Sequence, residues 1–201
     1  NVQAEYPVTI SNKQLRQAFL SASALTSFID GIIANMYTSM NYDEFLLMKY
    51  ELALLALDGK LPKVAISEPS AATSDAITTA IKKVSNEMTF LNDRYNMSGV
   101  MNFANKEDQY LIESTDLNAV LDVNTLSKAF NIEYSQFAGK EVLLDDLGKL
   151  DVARLAKILD RDETFTPFTD TQLGYLSKIR GVLCSGDFIQ FYDIEQTMED
   201  Q

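Results

Sequence analysis

The sequence predicts a mixed α+β fold, and three observations lead there. Apolar residues recur every three to four positions through residues 13–58 and again through 74–89, the period of an amphipathic helix. Short runs rich in aliphatic and aromatic residues, at 7–10, 61–67, 109–113, 141–145, 182–184 and 188–192, have the length and composition of strands. The two kinds of segment alternate irregularly, which favours helices packed on a mixed sheet over a doubly wound parallel one.

Taken in order, Pro7-Val8-Thr9-Ile10 reads as a short strand, and Ser11 as the N-cap of the helix that follows. That helix carries Leu15, Phe19, Leu25, Phe28, Ile29, Ile32, Ile33 and Met36 at its apolar positions, with Gly31 marking a bend or a close neighbour. Asn41-Tyr42-Asp43 interrupts the pattern, and Asp43 caps a second helix bearing Phe45, Leu46, Met48, Leu52, Leu55 and Ala56. Asp58-Gly59 stops it, the glycine standing just past the last turn. Residues 61–67 read as a strand and 68–73, with Pro69, as an exposed linker. Ser74 or Asp75 then caps a helix to about Thr89 whose apolar face is Ile77, Ala80, Ile81, Val84 and Met88.

Asn92, Asp93, Asn96 and Gly99 are turn formers, so residues 90–99 are expected to be irregular. A buried strand follows at 109–113, helical patterning at 116–130, a strand at 141–145 and a helix at 151–159. A polar loop runs to Thr171, and 182–184 with 188–192 make the closing strand region.

Charge narrows the functional classes. The 17 basic residues against 29 acidic ones give −12, which opposes sequence-tolerant binding to nucleic acid, because neutralising phosphates needs clustered Lys and Arg. An acidic surface is compatible with the inside of a container for DNA. No apolar run approaches the roughly 20 residues that span a bilayer, so no membrane partner is expected. Cys184, the single cysteine, excludes an intrachain disulfide and reads as a small buried hydrophobe. The start lacks the basic and apolar regions of a signal peptide and has no initiator Met, which reads as a processed or trimmed chain.

The search for chemistry predicts no catalytic, cofactor-binding or metal residues. There is no histidine, hence no Ser-His or Cys-His pair and none of the commonest general base or metal ligand. The eight glycines make no phosphate loop, and Gly59-Lys60 follows a helix and precedes a predicted strand, the reverse of a P-loop. Asp160-Arg161-Asp162-Glu163 starts like a calcium loop, but Phe165 stands where the tight-turn glycine belongs and Thr171 where the closing glutamate belongs. Asp145-Asp146 reads as a solvated strand end rather than a magnesium site or acid–base pair.

A family resemblance enters on residues 95–193. Tyr95-Asn96-Met97-Ser98-Gly99-Val100, Lys106-Glu107-Asp108-Gln109-Tyr110-Leu111-Ile112, Asn118-Ala119-Val120-Leu121-Asp122-Val123 and Leu126-Ser127-Lys128-Ala129-Phe130-Asn131 carry its first half. Phe137-Ala138-Gly139-Lys140, Val142-Leu143-Leu144-Asp145, Gly181-Val182-Leu183-Cys184 and Asp187-Phe188-Ile189-Gln190-Phe191-Tyr192-Asp193 carry the second. Upstream, Tyr6-Pro7-Val8-Thr9-Ile10-Ser11 and Leu15-Arg16-Gln17-Ala18-Phe19-Leu20-Ser21 are similar to the same family. These blocks resemble the major capsid proteins of short-tailed phages.

That resemblance implies the Hong Kong 97 capsid fold, without an evident N-terminal arm or extended loop and without the further strand that relatives carry past residue 193. It implies a peripheral-type region with spine helices at 1–69, an axial-type α+β domain at 70–185, and a truncated return strand at 186–201. The function implied is a structural shell subunit, not an enzyme, that encloses double-stranded DNA. Its partners would be copies of itself in pentamers and hexamers, and other phage head proteins, in a virion assembled in the host cytoplasm. A non-enzymatic scaffold or interaction domain of unrelated α+β fold is the alternative.

Overall fold

The computed structural model describes residues 8–96, 98–121, 140–159 and 166–188. Two compact units divide the chain, the first made of Asn1–Leu54 with Leu150–Asp170, the second of Leu55–Lys149 with Thr171–Gln201. Helix and sheet are both present, as the periodicities require.

The first unit opens with helix α1, Asn12–Ala18. Ser11 caps it reciprocally: its hydroxyl accepts from the Gln14 N–H (3.3 Å), and its own N–H donates to Gln14 Oε1 (3.0 Å). Of the strand expected at 7–10, residues 8–10 form none; they are exposed and have no neighbouring strand among the described residues, and Pro7 lies outside those. The helix stops at Ala18, and Ser21 starts the next by accepting from the Ala24 N–H (3.1 Å).

Helix α2, Ala22–Leu57, runs unbroken for 36 residues through Gly31 and through the expected break at Asn41-Tyr42-Asp43. Nothing lies within 4 Å of a Cβ built on Gly31, so that glycine admits no close neighbour. Asp43 does not cap a helix. Its carboxylate is occupied by Arg154 and faces inward, on the stripe that continues through Leu46, Lys49, Leu52, Ala53 and Ala56. With neither Gly nor Pro at 41–43, nothing stops the helix there.

Helix α5, Val152–Leu159, closes this unit by burying Leu155 and Ile158 against Leu46, with Leu47, Tyr50, Leu150 and Leu159 around them. Tyr50 stacks on Phe168 with ring centroids 5.6 Å apart.

The second unit begins at Leu55 in the last turn of α2, which ends at Leu57 just before Gly59, where the backbone adopts φ +70°. There the Gly59 N–H reaches the Ala56 carbonyl (3.4 Å) and the Lys60 N–H the Leu55 carbonyl (3.1 Å), the paired closure of a glycine-capped helix. Residues 61–67, expected to be a strand, join no sheet among the described residues. Helix α3, Ser74–Met88, starts after Thr73 rather than being capped by Ser74 or Asp75. The Thr73 hydroxyl is used backwards, donating to the Glu68 carbonyl (2.8 Å), and Asp75 in the first turn complements the helix dipole.

Strand β1, Gln109–Ser114, is central in a three-stranded sheet of order β2-β1-β3. It pairs parallel with β2, Glu141–Leu144, with Leu111 beside Glu141, and antiparallel with β3, Gly181–Ser185, with Leu111 beside Leu183. Gln109 fastens the start of β1 by donating to the Ser85 carbonyl (3.1 Å) and the Ala104 carbonyl (3.0 Å). Ser114 accepts from the Leu117 N–H (3.3 Å) and so begins α4, Thr115–Asn118. The helix expected at 116–130 is seen as this short turn; residues 122–139 lie outside the described ones.

Leu111, Leu117, Leu121 and Ile77 form the core here, with Ile81 and Leu183 packed against it. Each such side chain contributes about 1.5–3 kcal/mol by leaving water. Helix α6, Asp170–Leu176, starts where the expected polar loop ends at Thr171 and covers residues to which the sequence reading assigns no element. Of the expected closing strand, 182–184 lies within β3, while 189–192 lie outside the described residues.

Candidate functional site

The sequence names no site residues, so the candidate is built from what the second unit brings together. Among its described residues is a groove of about 550 Å³ walled by α3, β3 and residues 61–66. Ile81, Val84 and Met88 from α3 and Leu183 from β3 give it an apolar floor. Val64, Ile66 and Phe103 line it while remaining 46%, 37% and 55% exposed.

Among the described residues the charged ones of the groove are Lys63, Lys178 and Arg180, and no carboxylate lines it. Lys63 holds its ammonium 4.8 Å from the Tyr175 ring centroid, a cation–π contact. Arg180 donates to Asp116 Oδ2 (3.1 Å) and to Glu68 Oε1. That fork anchors the exposed stretch ending at Glu68 to the head of α4.

On β1, the Glu113 side chain is wholly buried. Asn118 Nδ2 donates to its Oε1 (2.7 Å), while Oε2 and the Glu141 Oε1 have no hydrogen-bond partner among the described residues. The register puts Glu113 and Glu141 on one face of the sheet, two residues apart along neighbouring strands. Burial pushes the Glu113 carboxyl up to about 7; the Asn118 hydrogen bond lowers it and the nearby Glu141 charge raises it. Burial also raises Glu141. This pair was missed in the sequence, although a glutamate inside the apolar run Tyr110-Leu111-Ile112-Glu113 is the signal that finds it.

The other acidic candidates are structural or out of view. Asp146 accepts from the Gly148 N–H (2.8 Å) through one oxygen and from the Ser177 hydroxyl (3.3 Å) through the other, so it shapes a turn. Asp145 is exposed at the end of β2, and residues 160–163 lie outside the described ones. Among the described residues no three His, Cys, Asp or Glu side chains stand close enough to share a metal ion. Cys184 is buried, as its apolar neighbours predict, and burial raises its thiol to about 11.

No helix among the described residues is long and apolar enough to cross a membrane. The second unit thus presents an apolar groove and, on its sheet, a pair of carboxyl groups with buried oxygens.

Comparison with known proteins identifies the family. The major capsid protein of Bacillus phage B103 is 33% identical over 167 residues, covering 81% of this chain and 36% of that protein. That of Bacillus phage PZA is 32% identical over 167 residues, covering 81% of this chain and 37% of the relative. The chain thus spans just over a third of the length of these relatives. In three dimensions it is similar to the capsid structure of Staphylococcus phage Andhra, with a TM-score of 0.53 at 15% identity, over 86% of this chain and 51% of that one. The resemblance read from the sequence holds, and the profile of the Phi29-like phage major capsid proteins matches residues 1–201. The chain belongs to the Phi29-like phage major capsid protein family.

Proposed function

We propose that the chain is a shell-forming part of a phage head, a structural subunit without catalytic activity that self-associates around double-stranded DNA. The observation that carries this reading is the family match over all 201 residues. The mixed helix and sheet arrangement and its likeness to a phage capsid support the Hong Kong 97-type fold. In that frame residues 1–69 are the peripheral-type region with spine helices, 70–185 the axial-type domain and 186–201 a return strand. The partners are further copies in pentamers and hexamers, with other head proteins, in a virion assembled in the host cytoplasm.

Self-association has an electrostatic signature. Identical chains at −12 repel, and salt shortens that repulsion to about 8 Å at physiological ionic strength. Association of the chain, followed by light scattering and electron microscopy at high protein concentration, strengthens as salt rises. A nucleic-acid binder behaves oppositely towards its ligand. A chain that stays monomeric at every salt concentration overturns the reading.

A further inference from the structure

Two rows of unpaired backbone open on the same groove. Strand β3 is an outer strand of the sheet, so the side turned away from β1 has no ladder partner among the described residues. Residues 61–67 also make no backbone–backbone hydrogen bond among the described residues, and residues 61–66 line the groove together with all of β3. An open sheet edge beside an apolar wall is the geometry that accepts an added strand, where main-chain bonds give affinity and the wall selects alternate side chains. Edges of this kind are blunted in monomers by charge, bulges or cover. Here instead Val64 and Ile66 stand open to solvent beside it.

Charge identifies the occupant. Lys63 and Lys178 have no carboxylate partner among the described residues, while the third cation, Arg180, is already held by Glu68 and Asp116, and among those residues no acid lines the groove. The chain as a whole carries 29 acidic residues against 17 basic ones. The groove is therefore a local exception whose complement is the acidic surface of another copy. A polyanion such as nucleic acid matches the cations but not the apolar floor, and it meets the repulsion of the remaining surface.

We infer that this groove receives an extended segment from a second copy of the chain, paired along the free edge of β3, with apolar side chains on the floor and carboxylates at Lys63 and Lys178. The inference rests on the self-association reading and adds where one contact is made and with what chemistry.

The test mixes ¹⁵N-labelled and unlabelled chain at a concentration where it associates. Each chain carries a benzophenone amino acid in place of Ile66, and cross-linked peptides are read by mass spectrometry. Labelled-to-unlabelled pairs in the proportion of random mixing, joined to a segment bearing Asp or Glu, are expected. In parallel, the double variant Lys63→Glu with Lys178→Glu weakens association at least tenfold without moving the thermal midpoint. The charge-matched control Lys82→Glu with Lys83→Glu, on the exposed side of α3, does not. Cross-links within one chain only mean that the chain fills its own groove, and they overturn the inference. Association that ignores Lys63→Glu with Lys178→Glu and yields no mixed cross-link at position 66 overturns it too, while leaving self-association standing. Absence of association at any concentration removes both.

Discussion

Arg154 and Asp43, 111 residues apart in sequence, meet through two parallel hydrogen bonds, Nε to Oδ1 at 2.7 Å and Nη2 to Oδ2 at 2.5 Å. Asp43 is 4% exposed, so its carboxylate has little water to fall back on. Arg154→Ala leaves that charge buried and unpaired, and it is expected to cost about 3 kcal/mol, the low end for a buried pair because Arg154 partly reaches solvent. Arg154→Lys keeps the charge but loses the fork and recovers only part of the loss. Urea unfolding checks both; an alanine variant within about 0.5 kcal/mol of the parent, the range of an ordinary surface change, contradicts the pairing.

Glu113 makes stability depend on pH in a direction opposite to a salt-bridged carboxylate. Its folded pKa of about 7 lies above the ordinary 4.5, so between those values the folded chain holds a proton that the unfolded chain has released. The contribution is complete below pH 4.5, falls as pH rises to about 7, and is gone above it. A gap of that width corresponds to about 3 kcal/mol at most. Glu113→Gln should match the parent near pH 4.5 and exceed it at pH 8. Denaturation curves for the two chains across that range, parallel at every pH, would sink the assignment.

Gly148 and Gly174 are expected to respond to alanine with opposite signs. A Cβ on Gly148 would stand 2.5 Å from the Leu173 carbonyl and overlap the Ser177 hydroxyl, against backbone that Asp146 helps to fix. Overpacking of that kind costs about 1–3 kcal/mol. Gly174 lies inside α6 with nothing within 4 Å of its Cβ position, so Gly174→Ala gains up to about 1 kcal/mol of helix propensity. Thermal midpoints that move the same way for both substitutions would refute the close approach.

Where a signal is local, the sequence made it legible. The N-cap at Ser11, the glycine stop at Gly59, the apolar face of α3 and the buried strand at 109–113 each follow from a few neighbouring residues. Readings that depend on distant partners fared differently. Asp43 looks like a cap until Arg154, far along the chain, claims its carboxylate. Residues 61–67 have strand composition, but a strand needs a neighbour, and composition cannot supply one. Helix α6 hides because only Leu173 and Leu176 mark its apolar side in so short a span. For the groove, the apolar residues of its wall were visible while their convergence was not. The Glu113 carboxyl was visible as a residue type, but its burial depends on β2 pairing alongside β1 and on α4 packing against those strands.

Helix α2 is one hydrogen-bonded rod of roughly 54 Å, at 1.5 Å for each of its 36 residues. Its two halves are held by different forces. From Asp43 onward a buried stripe anchors it, whereas residues 22–42 contain no buried residue and a single charge, Asp30. Without buried contacts that stretch rests on intrinsic propensity alone, whereas most helical stability in proteins comes from tertiary packing. Amide protection therefore grades along the rod, strongest where tertiary packing holds it and weakest towards Ala22. The anchored turns act as a preformed nucleus from which the rest propagates without the cost of starting anew. The Ser21 hydroxyl, bonded to the Ala24 N–H, is the latch at the fraying end.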